Sequence, residues 1–259
     1  MRMAALCLLM LHATVVTGAD PADSIRELGD GTLGFSYPAR EGVRGNADRI
    51  QFSLNGSDNE HCYVKGQWDD EAEIWPGDIH AELRVRDGRV RDIEFTVLNE
   101  DGERPRVDRD LAGIDADVAS AFFFDLAATA GEQVADHAVL GAVMARGVRP
   151  GPGLAAIVRD RERPGEVRES ALFWMAVLAG EEAVGTAMGL IDDQDEDLEL
   201  REHAVFALTQ LDEDRAFPLL MNVARDHPCN EIRRSAYFWL AEYDRPEVVN
   251  LFEEILVGQ

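Results

Sequence analysis

The densest group of side chains able to hold a cation is Asp192, Asp193, Asp195, Glu196, Asp197 and Glu199. A calcium loop begun at Asp193 would place Leu198 where the sharp turn needs glycine and Ala204 where a bidentate glutamate belongs. The simpler expectation is a solvated loop whose acids cap the next helix, although an irregular, weak calcium site stays open. His61, Cys62 and His80 are softer ligands of the first third, but they lack the paired spacing of a zinc site. No G-x-S-x-G, phosphate loop or dinucleotide fingerprint occurs. No catalytic, cofactor-binding or metal-binding residue is therefore assigned, and no cofactor is expected.

The most regular polar residues belong to a repeat. Glu166-Val167-Arg168, Glu199-Leu200-Arg201 and Glu231-Ile232-Arg233 recur at intervals of 33 and 32 residues. The same offsets relate Ala171, Ala204 and Ala236, and then Phe173, Phe206 and Phe238. They also relate Met175, Leu208 and Leu240, and Leu178, Leu211 and Tyr243. Ala138 lies 33 residues before Ala171 and marks a fainter copy. Between these helices a second set is expected over 154–158, 183–191, 216–224 and 248–256, with a leading helix over 118–128. A fixed period in this range denotes stacked helical hairpins. The alanine column marks the inner helices, where small side chains allow close approach.

The pattern E-Φ-R-x-x-A-x-F resembles the HEAT-like repeat of bilin-lyase-type and many bacterial repeat proteins, over roughly 115–256. In such arrays the recurrent arginine usually pairs with an acid of the preceding turn. The resemblance therefore implies that Arg168, Arg201 and Arg233 pair with Asp160, Asp193 and Asp226, as a structural ladder rather than a site. One enzyme of HEAT-like fold, deoxyhypusine hydroxylase, binds two irons through His-Glu pairs. Here the order is reversed in Asp136-His137 and Glu202-His203, and these pairs stand two repeats apart. At 8–10 Å per packed helix that is roughly 20 Å, beyond shared coordination. Trp174 and Trp239 share a column with Ala207 between them, either as partner-binding anchors or as filling between layers.

Upstream, period-two alternation flanks Asp87-Gly88, with Ile79, Ala81, Leu83 and Val85 on one side and Ile93, Phe95 and Val97 on the other. That is a hairpin signal, and Val90, out of phase, suggests a bulge. Weaker strands are expected over 34–37, 49–54 and 62–68. The expected fold is mainly α, with a small antiparallel β domain over 20–112 and a HEAT-like α-solenoid over 113–259. Residues 1–19 read as a signal peptide: Arg2, an apolar run, then Thr17-Gly18-Ala19. Export follows as the expected localisation, periplasmic or secreted, with no membrane insertion after cleavage. Asn55-Gly56-Ser57 matches a glycosylation acceptor and equally an ordinary turn. Cys62 and Cys229 are either free or paired, since no spacing pattern joins them.

The chain carries 50 acidic against 25 basic residues, a formal charge of -25. Such a surface repels nucleic-acid phosphates and anionic lipids, leaving proteins as the expected partners. The acid excess, with arginine in place of lysine, is read as the mark of a high-GC genome or a salty habitat before any binding role. The expected function is an exported protein–protein interaction scaffold without catalysis. The alternatives are a bilin-lyase-like enzyme, implied by the shared repeat, and a calcium-responsive adhesion module. Because the repeated polar residues serve stacking, a binding site is expected where the repeats differ.

Overall fold

The computed structural model describes residues 20–46, 50–53, 62–65, 74–98 and 104–257, with Ser53 and 62–65 described as backbone only. The segment expected to direct export, Asn55-Gly56-Ser57, His61 and the Cys62 side chain lie outside the described residues. The chain divides into two compact units. One contains residues up to Phe122 together with Met144–Gly147; the other contains Phe123–Val143 and the chain from Val148 onward.

The first unit opens with helix α1 (Pro21–Leu28), capped by Asp20, whose side chain accepts from the Ala22 N–H at 2.8 Å. Strands β1 (Gly31–Tyr37), β2 (Val43–Gly45), β3 (Ile50–Ser53), β4 (Cys62–Lys65), β5 (Trp75–Pro76), β6 (Ile79–Arg86), β7 (Arg89–Val97) and β8 (Arg109–Gly113) follow. They form two four-stranded sheets, ordered β7-β6-β1-β8 and β4-β3-β2-β5. The β6–β7 hairpin turns on Asp87 and Gly88, both with positive φ, as a tight primed turn requires. The expected bulge is present: pairing shifts between Arg84↔Asp92 and Val85↔Val90. The all-antiparallel expectation needs correction, because β1 pairs with β8 in parallel. Met144–Gly147 joins this unit through backbone bonds, Arg40 N–H to the Met144 carbonyl at 2.6 Å and Arg146 N–H to the Pro38 carbonyl at 2.9 Å.

One face of the first sheet is apolar and fully buried, with Leu33, Phe35, Tyr37, Ile79, Ala81, Leu83 and Ile93. Period two sends Ser36, His80, Glu82 and Arg84 to the opposite face. His80 is buried there beside Ser36, with Oγ to Nδ1 at 3.1 Å, while its Nε2 has no hydrogen-bond partner.

Helix α2 (Ala116–Thr129) carries the division between the units. The helical unit continues with α3 (Glu132–Val143), α4 (Gly151–Arg159), α5 (Gly165–Ala179), α6 (Glu181–Asp192), α7 (Leu198–Leu208), α8 (Glu213–Asp226), α9 (Asn230–Leu240) and α10 (Pro246–Val257). Helices α3, α5, α7 and α9 pack in succession, each of the last three also packing on its hairpin neighbour. Ala138, Ala171, Ala204 and Ala236 are all fully buried, which fits their role at the closest helix approach. Replacing Ala204 with Leu forces extra methyl groups into a filled space, so a cost of about 1–3 kcal/mol is expected. A urea titration followed by far-UV circular dichroism reads it.

The arginines do not pair with the recurrent aspartates as expected. Arg168 Nε donates to the Val158 carbonyl at 2.8 Å, and Arg201 donates twice to the Ile191 carbonyl. Both cover carbonyls left open at the end of the preceding helix. Arg233 reaches the carbonyls of His227 and Pro228 and the Asn230 side chain. Asp160 and Asp193 instead close their own turns, accepting from the N–H of Glu162 and Asp195 at 3.0 Å. Asp193 also meets Arg161 at 2.6 Å.

Candidate interaction surface

On each of α5, α7 and α9 the sequence places a stripe at helical spacing, Glu166-Glu169-Phe173, Glu199-Glu202-Phe206 and Glu231-Arg234-Phe238, exposed throughout on α9 and half-buried at Glu169, Phe173, Glu202 and Phe206. Stacking aligns the phenylalanines into a row. Phe173 and Phe206 lie parallel at 6.3 Å, Phe206 meets Trp239 at 4.9 Å, and Phe238 stands edge-on to Trp239 at 4.9 Å. Phe238 is 63% exposed, the one aromatic side chain among the exposed large apolar residues described. Between α7 and α9 the row opens into a groove lined by Glu202, His203, Phe206, Arg234, Ser235, Phe238 and Trp239.

The two tryptophans of the shared column differ. Trp174 is buried at 3% exposure and so is not available as an anchor, which corrects that candidate; Trp239 is half-buried and forms a wall of the groove. His203 Nδ1 lies 3.5 Å from Glu169, and its Nε2 is buried without a hydrogen-bond partner. Burial lowers its pKa, so the ring is neutral at neutral pH. Ser235 lines the same groove. His137, the counterpart of His203 on α3, belongs to no cluster of metal ligands, and no group of three or more such ligands occurs among the described residues.

Beside the aromatic row runs a strip of carboxylates. Glu166 is pushed above its ordinary pKa first by a hydrogen bond with Glu132, then by the charges of Glu132 and Asp136. Glu169 is raised by burial, then by Glu199 and Glu166. First-turn acids such as Glu132, Glu166 and Glu199 favour their own helix dipoles. That does not account for Asp136, Glu169 or Glu202 in the second turn.

The dense acidic run is not a uniformly solvated loop. The Glu196 and Arg168 side chains are each 5% exposed and form a two-pronged pair at 3.0 and 2.6 Å. Asp197 precedes α7 but makes no side-chain capping bond. Cys229, at the head of α9, carries a free thiol 3.1 Å from Glu231. The buried Glu196 and the exposed Phe238 were both beyond sequence reasoning: one is hidden among like acids, the other sits in an apolar column whose other members are half-buried.

A family model described as HEAT repeats matches residues 151–236, covering α4 to α8 whole and reaching Ala236 in α9. No curated protein and no solved structure matches the chain. No helix among the described residues is long and apolar enough to cross a membrane. The chain is thus mainly helical behind a small mixed β region and is similar to HEAT repeats over residues 151–236, and HEAT repeats commonly mediate protein–protein interaction.

Proposed function

We propose that this protein is an exported scaffold that binds a protein partner through the uncovered face of α5, α7 and α9. The observation that carries the reading is the aromatic row ending in the exposed Phe238 and half-buried Trp239. Exposed aromatic side chains beside a groove are the kind of residue that dominates binding energy at interfaces. An isolated exposed apolar residue needs no explanation, but a continuous row spanning three repeats does. Export rests on the signal-like segment before Asp20, and a protein partner is consistent with the acidic surface.

Affinity capture with the intact chain, from an extract of the cells that make it, tests this. The wild-type protein is expected to retain a stoichiometric polypeptide that Phe238→Ser releases; Phe238 is exposed, so that variant keeps its fold. A partner held equally by both proteins, or the absence of any stoichiometric partner, would contradict the reading.

A further inference from the structure

The carboxylate strip next to the groove lacks compensating charge. Asp136, Glu132, Glu166, Glu169 and Glu199 follow one another across α3, α5 and α7, and Glu202 continues the strip to the groove. Among the described residues no arginine or lysine lies within ion-pair distance of any of the six, and His203, 3.5 Å from Glu169, is neutral at neutral pH. Elsewhere in the helical unit some acids are matched, Glu181 with Arg215, Glu213 with Arg245 and Asp193 with Arg161, and others such as Asp226 and Glu253 are not; the acids of the strip differ in facing one another, Glu166 against Glu132 and Asp136, and Glu169 against Glu199. Glu166 and Glu169, the carboxylates of the helical unit pushed up by neighbouring acids, thus lie on the same helices as the aromatic row. On α9 the polarity reverses, because Arg234 occupies the column of Glu169 and Glu202.

Resting on the scaffold reading above, we infer that the partner presents a short two-part segment: apolar side chains seated in the groove between α7 and α9, and basic side chains over the acids of α5 and α3. The apolar part covers Phe206, Phe238 and Trp239. The basic part supplies the charge that the strip lacks. A second cleft at the heads of α5 and α7 is lined by Arg168, Glu169, Asp197 and Glu199; Arg168 is already held by Glu196, which leaves the three carboxylates to the first of those basic groups. Arg234 fixes direction, since a basic residue at the α9 end meets like charge. At 8–10 Å between neighbouring helices, α9 to α3 spans roughly 27 Å. That corresponds to about eight residues of extended chain or about eighteen of helix.

Panning a random twelve-residue peptide library on the intact protein, then measuring the enriched peptide by fluorescence anisotropy, tests the inference. Enriched sequences are expected to carry net positive charge on one side and two or more aromatic or branched aliphatic residues on the other. Affinity should fall at least tenfold in the Glu166→Arg, Glu199→Arg double variant and at least fivefold in Phe238→Ser. A smaller loss in the same direction is expected for Glu166→Gln, Glu199→Gln, which spares the helix N-termini an unfavourable cation. The Asp226→Arg, Glu253→Arg variant changes total charge equally on α8 and α10 and should alter affinity less than twofold. No enrichment, enrichment of neutral or acidic peptides, or an equal loss in the α8/α10 variant would overturn it. A cellular partner that depends on Phe238 but ignores Glu166 and Glu199 would refute the basic segment while leaving the scaffold intact.

Discussion

Replacing Arg168 with Ala is expected to destabilise the helical unit by about 3–5 kcal/mol, the cost of stranding one member of a buried ion pair. Arg168 is 4% exposed and joins three segments: its own helix α5, the Val158 carbonyl ending α4, and Glu196 in the turn before α7. Its loss leaves a carboxylate with nothing to balance it and an open carbonyl at a helix end. Hydrogen bonding to Arg168 holds Glu196 below its ordinary pKa, so the pair's stabilisation is complete at neutral pH and is lost as acid protonates Glu196. Arg201 has no carboxylate partner, only the Ile191 carbonyl shared with His227, so Arg201→Ala should cost less, about 1–3 kcal/mol. Half-buried Arg233 should cost less again. Removing both partners, as Arg168→Met with Glu196→Met, should recover much of the loss, since apolar replacement of a buried pair is often neutral. Urea titrations of the four variants give the ranking, and equal losses at 168 and 233 would contradict it.

Acid should loosen the β unit through His80. Burial, reinforced by Arg104 and opposed by Asp110, lowers its pKa from 6.5 to about 4. The native ring is therefore neutral, and between those values the unfolded chain binds a proton that the native chain does not. Stability is whole above about pH 6.5, falls as the pH drops towards 4, and levels off below. A shift of that size corresponds to at most about 3 kcal/mol. His80→Asn removes the titrating ring and should flatten this part of the profile. Hydrogen exchange of β1 and β6 amides, wild type against variant at each pH, isolates the effect from the carboxylates. An identical acid dependence in the two proteins would contradict it.

The helical repeats were legible because stacking imposes one geometry on every copy: buried alanines at 138, 171, 204 and 236 can repeat only if the helices do. The β6–β7 hairpin was legible because Asp87-Gly88 supplies two positive φ angles between alternating runs. Helix α1 was missed although Asp20-Pro21 is a cap followed by a first-turn proline, a signal within reach of the sequence. Strand β8 had no such signal: it is short and largely polar, and it exists because β1 offers it a parallel edge. The aspartate spacing was real but its cause was not, since a period does not say whether a side chain bonds an arginine or its own turn. Trp174 and Trp239 show the limit for the candidate site. They share a column, yet one is buried and the other faces the groove, and only packing separates them.

Hydrogen exchange of the protein bound to its captured partner, compared with the free protein, tests the assignment of the face most directly. Protection concentrated on α5, α7 and α9, strongest around Phe206 and Phe238, is the predicted result. Protection confined to α8 and α10, or to the β unit, would contradict it.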